Sequence, residues 1–386
     1  MTTGTPPPTA PTDAPTRAPG LPTNSPAASV PAVPGPLPAP GVPGAPPPGA
    51  PLPPAAGPLP PAEGPVPPAE GIGARGARRW SVRPWRGAWL ALAGALCAAL
   101  PFAHPLVPNS LGNLGSLVET FLPWTVALLL PLTLFGLYRR APLVLFGVVL
   151  VAVAWPVRFG GALVDKRESG GELIVVSHNV GEDNPDPAGT ARRLADTGAQ
   201  VIAVQELAAE ARETFHRALP ARYAHHTVHG GVGLWSTYAM TGAQPVEIMP
   251  WPRALRATLA TPKGPLTVFV AHLASVRVSP VHGFTTGRRD DAARLLARAV
   301  AAERPGRVLV VGDLNGTTDD RALAPLLRGL TSAQDVAGDG FGFSWPAGFP
   351  LARIDHVLAR GIRPLSAGTL PGTGSDHLPV TASFTF

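Results

Sequence analysis

The sequence predicts an α/β domain over residues 171–386, carried behind a membrane anchor and a proline-rich tail. Three observations carry this. From Glu172 onward, short runs rich in Val, Ile and Leu alternate with helical patterns, the signature of sheets covered by helices. Three apolar stretches between 88 and 157 are long enough for membrane helices. Fifty prolines and 43 glycines are far above ordinary usage, and the proline is concentrated in the first seventy or so residues.

Residues 1–72 repeat phrases such as PGAPPPGAPLPPAAGPLPPAEG. Such composition buries too little apolar surface to offset the entropy of ordering, so a disordered, locally polyproline-II tail is expected. A Pro-rich tail can also dock a cytoplasmic partner, although an unspecific tether is the simpler reading. It is not a secretory signal, because no apolar core follows a charged start. Residues 73–87 form a basic juxtamembrane segment with Arg75, Arg78, Arg79, Arg83 and Arg86.

Three transmembrane helices are predicted at about 88–107, 121–138 and 141–157, together the 88–157 anchor. The loop Pro108 to Thr120 carries no Lys or Arg, whereas arginines precede the first span and Arg139-Arg140 follows the second. The positive-inside rule then puts the N-terminus in the cytoplasm and everything after the third span outside. Prolines 101, 123, 131, 142 and 156 and the short third span leave a re-entrant segment open, which would reverse this sidedness. Trp80, Trp85, Trp89, Trp124 and Trp155 fall near span ends, as interfacial anchors do. Cys97 lies inside an apolar run, so neither a disulfide framework nor a cysteine metal site is expected. The formal charge of +6 rests on arginine, since Lys166 and Lys263 are the only lysines, and it suggests contact with nucleic acid or membrane.

In the 171–386 domain the apolar strands LIVVSHNV, VIAVQEL, LTVFVAHLAS, RVLVVGDLN, RIDHVLA and PVTASFTF are separated by helices near Thr190 to Thr197 and Gly287 to Glu303. Polar residues recur at the strand ends, where α/β sheets place their sites. Asn179, Glu206, His272, Asp313 with Asn315, Asp355 with His356, and Ser375-Asp376-His377 occupy them. One such residue alone reads as a cap or turn former; six ends with the same chemistry read as a site. Asn and carboxylate oxygens suit a hard cation that neutralises charge developing on a phosphoryl group, Mg²⁺ first and Mn²⁺ as the alternative.

In their order, Asn179, Gln205-Glu206, the AHL ending at Leu273, GDLN at 312–315, IDHV at 354–357 and SDHLPV at 375–380 resemble the endonuclease/exonuclease/phosphatase superfamily. The resemblance implies a two-sheet, DNase I-like α/β sandwich and a metal-dependent phosphoester or phosphoanhydride hydrolase. It implies Asn179, Glu206 and Asp376 as metal ligands, and Asp313 as the group that orients or deprotonates water. Asn315 would donate to the phosphoryl group and His272 would stabilise the transition state or protonate the leaving group. His377, held cationic by Asp355, would contact phosphate oxygens. Three spans before an outward-facing domain, with the NPDP at 184–187, are similar to the VanJ-type membrane proteins associated with vancomycin and teicoplanin resistance.

His178, His225, His226, His229, His282 and His356 are expected to be surface or supporting residues. Arg256 and Arg288-Arg289 could hold a further phosphate but read more simply as solvated charges. No GxSxG elbow, P-loop or CxxC cluster occurs, which disfavours a covalent serine mechanism. The superfamily's motifs set the reaction and not the substrate. Arginines scattered through the domain, its short length and the brief link from the last span favour a membrane lipid or lipid-linked phosphate or pyrophosphate of the envelope, with a possible role in glycopeptide resistance. A tethered extracellular nuclease acting on nucleic acid is the second reading, and a non-catalytic membrane scaffold the alternative of another class.

Overall fold

The computed structural model describes residues 87–386 except 280, 282 and 305. The expected tail at 1–72, the basic arginines up to Arg86, Trp80, Trp85 and His282 lie outside the described residues.

Helix α1 (Ala88–Ala103) ends in a 3-10 turn at His104–Leu106. Helix α2 (Leu114–Thr120) follows, then a 3-10 stretch Leu122–Leu128 that runs into α3 (Leu129–Tyr138), and α4 (Val144–Phe159), extended by Gly160–Leu163. Two of these, Ala88–Leu106 and Val144–Leu163, are each long and apolar enough to cross a membrane. The stretch Leu122–Tyr138 reaches that length only together with α2, from which it is bent by 83°. Helices α1 and α4 run side by side because glycines let their backbones meet: a Cβ on Gly94 would lie 2.5 Å from the Gly147 Cα. The α3 segment runs back against α4, with Gly136 against Val144 at one end and the Trp155 indole donating to the Pro123 carbonyl at the other. Leucines, valines and phenylalanines such as Leu92, Leu96, Leu130, Phe146 and Val149 face outward and exposed, as a lipid-facing surface requires.

The remainder is built from β1 (Leu173–Asn179), α5 (Pro187–Asp196), β2 (Val201–Gln205), α6 (Arg212–Ala218), β3 (His225–His229), β4 (Val232–Ser236), β5 (Met240–Pro245), β6 (Ala254–Thr261) and β7 (Gly264–His272). There follow β8 (Arg277–Ser279), β9 (Gly283–Thr285), α7 (Gly287–Ala301), β10 (Arg307–Asp313), α8 (Ala324–Leu327), β11 (Thr331–Ser332) and α9 (Ala333–Ala337). β12 (Asp355–Arg360), β13 (Arg363–Thr369) and β14 (Val380–Thr385) close the chain. One six-stranded sheet has the order β13-β14-β1-β2-β4-β3, the other β11-β12-β10-β7-β6-β5. Each is mixed, with one parallel pair at its centre, β1 with β2 and β7 with β10.

Alternation along the strands makes the layers. Val175, Val201, Ala203, Val268, Val270, Leu309 and Val311 point into the space between the two sheets. Their neighbours Val176, Ile202 and Val204 turn outward onto α5 and α6, and Phe269, Val308 and Val310 onto α7. The result is the α/β sandwich expected, with both faces of each sheet covered. The motif NPDP starts α5: Pro187 opens the helix and the Asp186 carboxylate accepts from the Gly189 amide at 2.7 Å.

The helical segment and the sandwich are joined through polar side chains. Glu119 of α2 is fully buried, and its carboxylate accepts from the Arg321 Nε at 2.8 Å and the Arg321 amide at 3.2 Å. Thr317 donates to the Glu119 carbonyl. Trp124 donates to the Leu351 carbonyl and stacks on Phe343, and Trp155 packs on Phe341. Of the tryptophans expected as interfacial anchors, Trp124 and Trp155 therefore hold the sandwich, while Trp89 stays exposed against Phe135.

Candidate active site

The residues singled out in the sequence meet at one end of the sandwich because the parallel strands end there and their antiparallel neighbours begin there. Asn179 and Gln205 are paired across the ends of β1 and β2. His272, Asp313 and Asp355 are in register across β7, β10 and β12. A parallel pair contributes its last residue and an antiparallel partner its first, so carboxylates distant in sequence face one point.

Asp313 is the hub. Its Oδ1 accepts from the Asn315 amide at 2.9 Å, and its Oδ2 from the side-chain amides of Asn179 and Asn315, each at 3.1 Å. His272 Nε2 lies 3.6 Å and His377 Nε2 3.8 Å from the same Oδ2. Burial, and then the charge of Asp355, push Asp313 up to about 7. Asp355 accepts from His377 Nδ1 at 2.8 Å and from the Ser344 hydroxyl at 2.6 Å, both on Oδ2. Burial works against the Asp355 charge, yet His377 and Ser344 hold this carboxylate below its ordinary range. Burial alone would likewise lower His377, but the Asp355 and Asp313 carboxylates outweigh it and raise the imidazole to about 10. A value near 10 makes His377 a cation at neutral pH.

His272 differs. Burial, and then the Arg253 guanidinium 2.8 Å from its ring nitrogens, lower it to about 3. A neutral imidazole offers a hydrogen bond rather than an extra proton, which favours the stabilising role of His272 over protonation of a leaving group. Asn315 also departs from expectation. Its left-handed backbone, φ 47°, folds the side chain back, and its amide donates to Asp313 and to the Leu273 carbonyl at 3.1 Å. Its hydrogens orient Asp313 rather than reach toward a phosphoryl group.

Glu206 also has a left-handed backbone, φ 55°, costly for a side-chain-bearing residue and a feature of functional sites. Its carboxylate lies 3.4 Å from His272 Nε2. Burial raises its pKa, and a hydrogen bond from Asn179 opposes the rise. Among the described residues no arginine or lysine lies within ion-pair distance of this partly buried carboxylate, and a hard carboxylate oxygen fits Mg²⁺ or Mn²⁺. Asn179 turns its amide nitrogen toward Glu206 and Asp313 and its oxygen to the Gly181 amide at 3.2 Å, so it would offer a hard oxygen to a cation with its amide turned over. Asp376 is set apart: it is exposed at the rim, and its Oδ2 accepts from the Trp345 indole at 3.2 Å. A second cluster of ligand atoms lies on Asp313, Asp355 and His377, within which the His377 Nδ1–Asp355 hydrogen bond is already made.

Several supports carried no sequence signal. Ser344 and Arg253 sit in loops with no pattern around them. Arg289, expected as a solvated charge, is buried, donates to the Asn315 carbonyl at 3.0 Å and pairs with Asp320 at 2.7 Å. Buried His356 bonds the Gly316 carbonyl at 2.8 Å, so both brace the 312–316 turn. Arg256 pairs with Glu303. Buried His178 contacts the Thr373 hydroxyl at 2.6 Å, while His225, His226 and His229 line the edge strand β3, away from this cluster.

This constellation in a two-sheet α/β sandwich defines a phosphoesterase. The chain belongs to the Endonuclease/Exonuclease/phosphatase family, which matches it over residues 176–377, and it is accordingly a metal-dependent hydrolase of phosphoester bonds. Among solved structures it is similar to a mannosyl-6-phosphatase of Bacteroides thetaiotaomicron (14% identity, TM-score 0.47, 56% of this chain and 100% of that one). It is similar also to D. rerio TDP2 complexed with a single-strand DNA product (17%, 0.47, 55% and 99%) and to sphingomyelinase C of Streptomyces griseocarneus (18%, 0.44, 56% and 99%). No curated protein matches it by sequence.

Proposed function

We propose that the protein is a membrane-anchored phosphoesterase whose catalytic domain faces the outside and hydrolyses a lipid-linked phosphate or pyrophosphate of the cell envelope. The observation that carries this is the direct docking of the anchor on the catalytic loop: Thr317 and Arg321, which follow the Asp313–Asn315 turn, are bonded to Glu119 of α2. The site is thereby held beside the end of the apolar bundle. Arg139-Arg140 lies at the bundle's other end, so the positive-inside rule supports three spans with the domain outside. The resemblance to VanJ-type proteins, and with it a role in glycopeptide resistance, belongs to the same reading.

In this reading Glu206, Asn179 and Asp376 would hold the divalent cation, which would supply positive charge for the phosphoryl oxygens. Asp313, oriented by Asn179 and Asn315 and raised toward neutral pH, takes the proton of the attacking water. His377, kept cationic by Asp355, donates to a nonbridging oxygen as its charge grows, and neutral His272 donates a second hydrogen bond. The test is phosphate release by the full chain in detergent with Mg²⁺, offered a polyprenyl diphosphate or single- or double-stranded DNA. Release from the lipid that drops at least 100-fold in Glu206→Gln is expected. Cleavage of DNA alone would replace this reading with the tethered nuclease.

A further inference from the structure

Beside the site lies a cleft of about 530 Å³ lined by Arg253, Arg277, Arg288, Ser275, Thr285 and Trp251, with no carboxylate in its wall. These arginines are far apart in sequence, and the fold brings them together: Arg253 precedes β6, Arg277 opens β8 and Arg288 starts α7. Arg256 and Arg289 are consumed by Glu303 and Asp320, whereas among the described residues neither Arg277 nor Arg288 has an acidic partner. Three guanidinium groups in one cleft repel one another, and an anion relieves that repulsion. The start of α7 opens on the same space, and the Thr286 side chain does not cap its amides, so the helix adds its positive end.

Two further features say which anion. Arg253 touches both the cleft and His272, at 2.8 Å, and His272 is 3.4 Å from Glu206. Two side chains in contact, Arg253 and His272, thus lead from the cleft to Glu206, so an anion in the cleft would neighbour a phosphoryl group held at the site. The hairpin that bears Arg277 and Thr285 is docked on the anchor: the Phe284 amide donates to the Gly112 carbonyl at 2.9 Å and Asn113 donates to the Phe284 carbonyl at 2.7 Å. Val278 and Val281 on that hairpin, and Leu106 and Leu111 in the helical segment it docks on, are exposed at 68–83%, apolar surface on the elements that carry Arg277 and its support.

We infer that Arg253, Arg277 and Arg288 form a subsite for the second phosphoryl group of a diphosphate substrate, which rests on the phosphoesterase reading above and sharpens it. The cleft binds the phosphoryl that stays with the leaving group, and hydrolysis transfers the other phosphoryl to water, releasing inorganic phosphate and the monophosphate.

The experiment compares the full chain with Arg277→Ala/Arg288→Ala in lipid nanodiscs with Mg²⁺. It measures phosphate release from polyprenyl diphosphate, polyprenyl monophosphate and ADP, and it measures binding of inorganic pyrophosphate and of phosphate by calorimetry. The expected result is a preference for diphosphate over monophosphate that falls at least tenfold in the variant, through KM, together with weakened pyrophosphate binding. A loss confined to the polyprenyl compound places the ligand in the membrane, and a loss with ADP as well places it in solution; both support the subsite. Unchanged preference and unchanged pyrophosphate binding overturn it. Pyrophosphate binding that depends on the arginines, without hydrolysis of any lipid, keeps the subsite and removes the lipid substrate instead.

Discussion

Burying Asp313 next to Asp355 makes its charge costly, and that cost separates stability from activity. Its folded pKa is raised to about 7 from 3.8, so the residue favours folding below about pH 4, and that contribution is lost as pH rises through about 7. Asp313→Asn keeps the shape and removes the charge. In metal-free buffer the variant should therefore melt higher than the parent at pH 8 and equally at pH 4, while phosphate release falls 100- to 10,000-fold. Thermal melts at the two pH values check this, and a variant no more stable at pH 8 would contradict the assignment of a buried, raised carboxyl. Single residues were also the most legible level of the sequence. Asn179, Glu206, His272, Asp313, Asp355 and His377 stood out because a carboxylate, amide or imidazole at a strand end is visible without coordinates, and the fold gathers all six. Arg253 and Ser344 did not stand out, since an arginine before a strand and a serine in a Phe-Gly-Phe-Ser loop look like any surface residue. The direction of the Asn315 side chain and the Arg253 contact on His272 are hidden for a related reason: a left-handed turn and a guanidinium against an imidazole are three-dimensional facts.

The elements read well where apolar residues run continuously and poorly where they do not. β1, β2, β7, β10, β12 and β14 carry both faces of buried sheet and announce themselves, whereas β3 and β5, with sequences HHTVH and MTGAQP, are exposed edge strands with no such pattern. The same logic blurred the second span, whose helix is bent off α2. What no pattern reveals is how tightly β7 and β10 approach. Gly312 has φ 139°, and a Cβ there would sit 1.9 Å from the Ala271 carbonyl oxygen, a backbone clash that no rotamer can relieve. Gly312→Ala should cost about 3 kcal/mol or more and lower the melting temperature by roughly 10 °C. Because His272 and Asp313 follow directly on Ala271 and Gly312 as the last residues of these strands, activity should fall even in the fraction that folds. An unshifted melting curve would mean the two strands have room to spread.

Across the whole molecule, one of the ties between the helical segment and the sandwich runs through a buried carboxylate. Glu119 is the single acidic residue of an otherwise uncharged loop and helix between the first two apolar segments, and it is fully buried. It meets Arg321 Nε at 2.8 Å and His104 Nδ1 at 3.1 Å, while Arg321 also donates to the His104 and Pro105 carbonyls at 3.0 and 3.1 Å. Removing Arg321 strands the buried Glu119 carboxylate, a loss of up to about 3–5 kcal/mol, whereas Arg321, 32% exposed, loses less when Glu119 is removed. Removing both leaves no stranded charge, so Glu119→Ala and Arg321→Ala should be strongly non-additive, with a coupling of at least about 2 kcal/mol in a double-mutant cycle. Arg321 closes the loop that continues from Asp313 and Asn315 through Thr317, and a displacement of about 1 Å there is enough to cost up to 100-fold in rate. Glu119→Ala should thus lower kcat by tenfold or more with Glu206 and His377 untouched, and should speed amide exchange in residues 316–321. Additive stability losses with an unchanged kcat would show that the helical segment does not set the 316–321 loop.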